Sequence, residues 1–214
     1  MFLEKLSCQV VRDDEQIVAN VNLTQILRLN ISNGGNINFS FNSINDYKNG
    51  VGALSSASGV GASSNNSTAF FKTDFSVSSS TNWLLNFGAD QATFIGTDNP
   101  ANLLPLNNVG FTLIENGVYT SGAVNNLIST LTGDFSATSV SALLAYPQIL
   151  INKGALTNAG DVLDNNFTIF WQCGTAALPV LATNPMNTIN IINLPSSPAP
   201  DNYIANIIFE LEAQ

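Results

Sequence analysis

The sequence predicts an all-β fold: an antiparallel β-sandwich, immunoglobulin-like or jelly-roll-like, with a few short helical turns. Three observations carry this. Apolar and polar residues alternate in many short runs, the two-residue period of a half-buried strand. The pairs Asn33-Gly34, Asn49-Gly50 and Asn116-Gly117 punctuate those runs with residues that reach positive φ at low cost. Stretches with helical periodicity are few and short, and many short strands between turns argue for a sandwich or barrel.

Taken in order, residues 16–23 form a mixed polar and β-branched run. Ile37, Phe39 and Phe41 then alternate with Asn38 and Ser40, and Phe71, Thr73, Phe75 and Val77 repeat the pattern. Trp83, Leu85 and Phe87 follow a turn-like stretch at 78–82. Residues 109–114, 148–152 and 167–173 are further strands, the last with Phe167, Ile169, Trp171 and Cys173 on one face. Pro195, Pro198 and Pro200 make a stiff connection to a final strand. That strand sets Tyr203, Ala205, Ile207, Phe209 and Leu211 on one side, with Asn206, Glu210 and Glu212 largely on the other. One helical turn is expected at 43–48 with Ser43 as N-cap, and short helices at 123–130 and 139–145. The expected core includes Phe39, Phe41, Phe75, Val77, Trp83, Phe87, Ile169, Trp171, Ile207 and Phe209. The organisation expected is an N-terminal arm or first strand at 1–15 and one sandwich domain at 16–214. A small-residue stretch at 50–68 reads as a flexible surface loop.

Composition narrows the function. Hydrophobic residues make up 45% of the 214, enough for a core, while charged residues make up only 10%, against about a quarter in an average globular chain. The polar surface must come from Asn, Ser, Thr and Gly, as in extracellular fibres, capsid proteins and lectins. Six Lys and Arg face 15 Asp and Glu, for a net charge of -9. No basic cluster is present to displace counterions from nucleic acid or to bind a membrane surface. No run of about 18 apolar residues predicts membrane insertion. Histidine is absent, which removes Ser-His and Cys-His nucleophiles, imidazole acid–base work and His metal ligation. Glu4 and Lys5 interrupt the apolar start, so it does not read as a secretory signal. A virion protein released by lysis fits that reading, as does a leader replaced by Met1.

No catalytic, cofactor-binding or metal-binding residue is assigned. Asp13-Asp14-Glu15 reads as a solvated turn, with calcium as the sharper alternative, and Asp161, Asp164 and Asn165 form a second, weaker calcium candidate. Two separated carboxylates would suffice for a glycosidase, but no motif identifies such a pair. Trp83 and Trp171 read as core rather than as sugar platforms. Asn22, Asn30, Asn38, Asn65, Asn66 and Asn166 head glycosylation sequons, many expected by chance in an Asn-rich chain. Cys8 and Cys173 are either one disulfide closing a long loop or two buried free thiols.

Four stretches, FFKTDFSVSSSTNWLLNFGA, LPLNNVGFTLIENGVY, NFTIFWQCGT and DNYIANIIFELEAQ, resemble the pilin-like, spore-coat-U-like immunoglobulin-type β-sandwich proteins of bacterial surfaces. The resemblance runs from residue 69 to 214 and implies a structural subunit without catalytic residues. The expected function is therefore a non-enzymatic virion-surface protein (capsid, decoration, head-fibre or spike subunit) that self-assembles in many copies. A cell-surface pilus or filament subunit is the second reading, and a carbohydrate-binding module the third. Expected partners are further copies or other subunits of the same particle, with a host glycan as an additional candidate, and no nucleic acid. Phe2, Leu6, Cys8 and Val10 share one side of an extended N-terminal segment that Glu4 interrupts. That segment is either the first strand of the domain or an assembly arm that adds a strand to a sheet edge.

Overall fold

The structure, a computed structural model, describes residues 20–52, 71–117, 140–152, 157–176, 180, 184–195 and 198–214. Within them every strand ladder is antiparallel, and two layers face each other across one aromatic core. The first layer runs β1 (Leu27–Asn33), β3 (Lys72–Ser79), β10 (Asn166–Cys173), β7 (Val109–Glu115), β8 (Ser141–Ala142). The short β2 (Val51–Gly52) pairs with the end of β10. The second layer runs β12 (Ile207–Ala213), β4 (Trp83–Ala89), β9 (Gln148–Asn152). Its continuation is β11 (Tyr203–Ile204), β5 (Thr93–Gly96), β6 (Leu103–Pro105). The strands break together where Asp90 accepts hydrogen bonds from the backbone and side-chain N–H groups of Asn206, at 2.9 and 2.8 Å.

Alternation puts one ring from each layer against its opposite number. Trp83 meets Phe167 edge-on with centroids 6.1 Å apart, Phe87 meets Phe111 at 5.1 Å, and Phe75 meets Phe209 at 5.6 Å. Such geometry adds to the area the rings bury. Trp83 is fully buried, and Asn158 clamps it. The Asn158 carboxamide accepts from the Trp83 N–H at 2.9 Å and donates to its carbonyl at 2.8 Å, and the indole N–H donates to the Asn158 carbonyl at 2.6 Å.

Of the expected core, Phe75, Val77, Trp83, Phe87, Ile169 and Trp171 are buried, while Phe39, Phe41, Ile207 and Phe209 are half-buried against it. The turn at 43–48 is helix α1 (Ile44–Asn49), closed by a Ser43–Asp46 capping box.

Three expectations need correction. Residues 37–41 alternate but join no ladder. The described residues 20–23 of the run at 16–23 are not a strand, and β1 lies instead at Leu27–Asn33, where Leu27, Leu29 and Ile31 alternate. The stretch 139–145 is extended over its described residues rather than helical: Ser141 and Ala142 pair with β7, and Val140 and Leu143 are buried. An open strand edge there outweighs a weak helix propensity. The segment 123–130 lies outside the described residues. So does most of 50–68, though Val51 and Gly52 are ordered as β2.

Candidate functional site: an open cleft between two strand edges

The two layers do not close along their whole length. After β1 the chain bends at 35–36 and runs on through residue 41 without a ladder partner among the described residues. Both ends of this segment are pinned. At one end Gly34 takes φ +69, and a Cβ there would lie 1.9 Å from the Lys72 carbonyl oxygen, so only glycine fits. Thr73 donates to the Gly34 carbonyl at 2.8 Å. At the other end the Asp46 carboxylate accepts from the N–H groups of Asn42 and Ser43 at 2.9 and 2.8 Å. Between these anchors Phe39 stacks on Phe71 and Phe41 leans on Tyr47, each at 5.3 Å. Asn36, Asn38 and Ser40 face water.

The opposite wall is the stretch 198–207 with Phe209. Pro198 and Pro200 stiffen its approach. Asp201 accepts from the N–H groups of Asp98 and Asn99 at 3.0 and 3.1 Å and from the Asn102 carboxamide at 2.8 Å, tying the wall to the β5–β6 connection. Hydrogen bonds led by that of Asp98 N–H hold the Asp201 carboxyl below the usual carboxylate range. The Tyr203 hydroxyl donates to the Ala199 carbonyl at 2.7 Å. β11 and β12 use one edge to pair with β5 and β4, and their other edge is hydrogen-bonded to no strand among the described residues, although β1 passes close to β12.

Between the walls lies a cleft of about 1180 Å³ whose floor is the core itself. Trp171, Val109, Leu143, Leu104, Thr73 and Cys173 all line it, and all are buried. The Trp171 indole donates to the Thr73 hydroxyl at 2.9 Å, so the floor is polar-satisfied. Cys173 is a free thiol, and burial pushes it up to about 12, leaving it protonated and inert. Its partner in the bonded reading, Cys8, lies outside the described residues. Protein interiors pack like organic crystals, so an opening of this size onto core side chains is a place for one more element. Its chemistry is backbone donors and acceptors on two rims with apolar pockets between them. Such rims can hydrogen-bond an extended chain.

The residues singled out from sequence lie elsewhere. Phe2, Leu6, Val10 and Asp13-Asp14-Glu15 are outside the described residues. Asp161 and Asp164 cap their own turn: Asp164 accepts from the Asp161 N–H at 3.0 Å, and Asp161 from the Leu163 N–H at 2.7 Å. Asn165 is buried and donates to the Asn158 carbonyl. Glu210 and Glu212 are exposed on the outer face of β12, where Tyr146 and Asn86 donate to them. Among the described residues no helix is long and apolar enough to cross a membrane. Sequence reasoning missed Glu115. It shares the face of Phe111 and Leu113, neither of its oxygens has a hydrogen-bond partner, and burial raises its carboxyl to about 7. It also missed the cleft, because an alternating run looks the same whether or not a neighbour pairs with it. Compared with known protein families and with curated proteins, the sequence matches no family model and no curated relative.

Proposed function

We propose that the protein is a non-enzymatic structural subunit of an exposed, multi-copy assembly, first a virion-surface component such as a fibre or decoration subunit. The observation that carries this is the open cleft, with its buried floor and two rims that pair with no strand among the described residues. In the isolated molecule the rims face water at Asn36, Asn38, Ser40, Asn202, Ile204 and Asn206, and a docked neighbour would cover them. The sparse charge of the chain supports the same reading, since few ionic groups must be desolvated when copies pack. A cell-surface filament subunit is the second reading, favoured specifically by a cleft shaped for a strand. Strand docking is the mode that links pilus subunits. Both tryptophans sit in the core, so a glycan platform would have to rest on tyrosines. Electron microscopy and size-exclusion chromatography of the native protein test the proposal. Regular particles or filaments are expected, and a chain that stays monomeric at every concentration would overturn it.

A further inference from the structure

We propose that the mouth of the cleft, between Tyr47 and Tyr203, binds a neutral oligosaccharide. This goes beyond the subunit reading and does not rest on it. Both rims carry hydrogen-bonding groups that serve nothing inside the molecule. Asn36, Asn38 and Asn42 line one rim and Asn202 the other, and all four are exposed. Their carboxamides make no hydrogen bond among the described residues. A carboxamide both donates and accepts, as does each hydroxyl of a sugar, so the two rows match a polyol. The lining also selects against charge. No Lys, Arg or Glu lines the cleft, and its one acid, Asp201, is already taken. Its Oδ1 accepts from the N–H groups of Asp98 and Asn202, and its Oδ2 from the N–H of Asn99 and the Asn102 carboxamide. An ionic ligand would lose water there without gaining a counter-charge. A chain of net charge -9 also repels anionic ligands at a distance.

Two tyrosines supply the apolar face a sugar ring needs. Tyr47, in α1, follows one wall and Tyr203 belongs to the other, and both are half-buried and line the cleft. They are near neighbours: the Tyr203 hydroxyl is pushed up by burial, then by Asp201 and by the Tyr47 phenol. Both rings are held before any ligand arrives. The Tyr203 hydroxyl is tethered to the Ala199 carbonyl at 2.7 Å, and Tyr47 leans on Phe41 with centroids 5.3 Å apart. Rings fixed in advance cost little entropy on binding, and a tyrosine offers an apolar face on which the C–H face of a pyranose can lie. The cleft, at about 1180 Å³, exceeds the roughly 300–1,000 Å³ of small-molecule sites, which leaves room for several sugar units. A peptide strand would draw on the backbone of the rims, whereas a glycan draws on their side chains. Removing carboxamides therefore separates the two.

The test uses the full chain, dispersed below the concentration at which it assembles. It is applied to an array of neutral hexasaccharides (maltohexaose, cellohexaose, mannohexaose and N-acetylchitohexaose) beside sialylated and sulfated glycans. The strongest neutral binder is then titrated by calorimetry. Neutral glycans are expected to bind, and anionic ones are not. An Asn42→Ala, Asn202→Ala double variant should keep its circular dichroism and urea midpoint, because neither carboxamide is bonded in the fold. Its dissociation constant should rise at least about tenfold. Tyr47→Ala, checked for folding in the same way, should abolish binding. An array without a neutral signal, a preference for anionic glycans, or a double variant that binds as the wild type does would overturn the inference while leaving the subunit reading. A chain that binds neutral glycans yet never assembles would overturn the subunit reading and leave this one.

Discussion

A few side chains hold this molecule together or strain it. Asn158 serves both backbone groups of Trp83 in the core. Asn158→Ala would orphan two buried polar groups, so it should lower unfolding stability by roughly 2–4 kcal/mol in urea titrations. Glu115 works in the opposite sense. Its carboxyl rises from 4.5 to about 7 because burial penalises the charge. Between those values the folded chain holds a proton that the unfolded chain has released, so stability falls as pH rises across the window. Half-exposure screens the effect to about 1–2 kcal/mol. Glu115→Gln should recover that amount near about pH 8 and nothing near about pH 4, read from urea midpoints at the two pH values. Cys173 should resist iodoacetamide at about pH 8 until the protein is unfolded, which peptide mapping can follow separately from Cys8.

Among elements, the cleft wall at 35–41 depends on its anchors. Gly34→Ala forces a side chain into a left-handed backbone and against the Lys72 carbonyl. It should cost about 2–4 kcal/mol in thermal or urea unfolding and weaken assembly beyond that loss. Much of the sheet content was legible before the structure. β9 and β10, β3 and β4, β7 and the closing strand all follow runs whose alternating residues meet the core, and Ser43 announced α1 with its oxygen acceptor. What was not legible depends on neighbours. Ile37, Phe39 and Phe41 have a strand's pattern, yet pairing requires a second edge, and no local signal says that edge is vacant. β8 is two residues of Ser and Ala whose conformation is dictated by β7 beside them. The candidate site was half visible. The residues of both walls were recognised as strand-like, but the gap between them is a property of how the layers fail to meet.

For the whole molecule, a net charge of -9 makes copies repel one another. A joint built from apolar pockets and backbone hydrogen bonds gains nothing from ion pairing, so salt should help it. Between roughly 0.01 and 1 M salt the Debye length shrinks from about 30 to 3 Å. Light scattering should show assembly holding or strengthening across that range. Dissociation at high salt would point to a charge-paired interface instead. Among the described residues one ion pair, Lys72–Asp74 at 2.8 Å, is present, and it lies within a subunit.

The two tryptophans sit in unlike surroundings, which makes them separate reporters. Trp83 is clamped in the core by Asn158, whereas Trp171 lies on the cleft floor with its indole bonded to Thr73. Anything that docks in the cleft should therefore shift the fluorescence emission of Trp171 and leave that of Trp83 unchanged, and Trp→Phe variants at each position would separate the two signals.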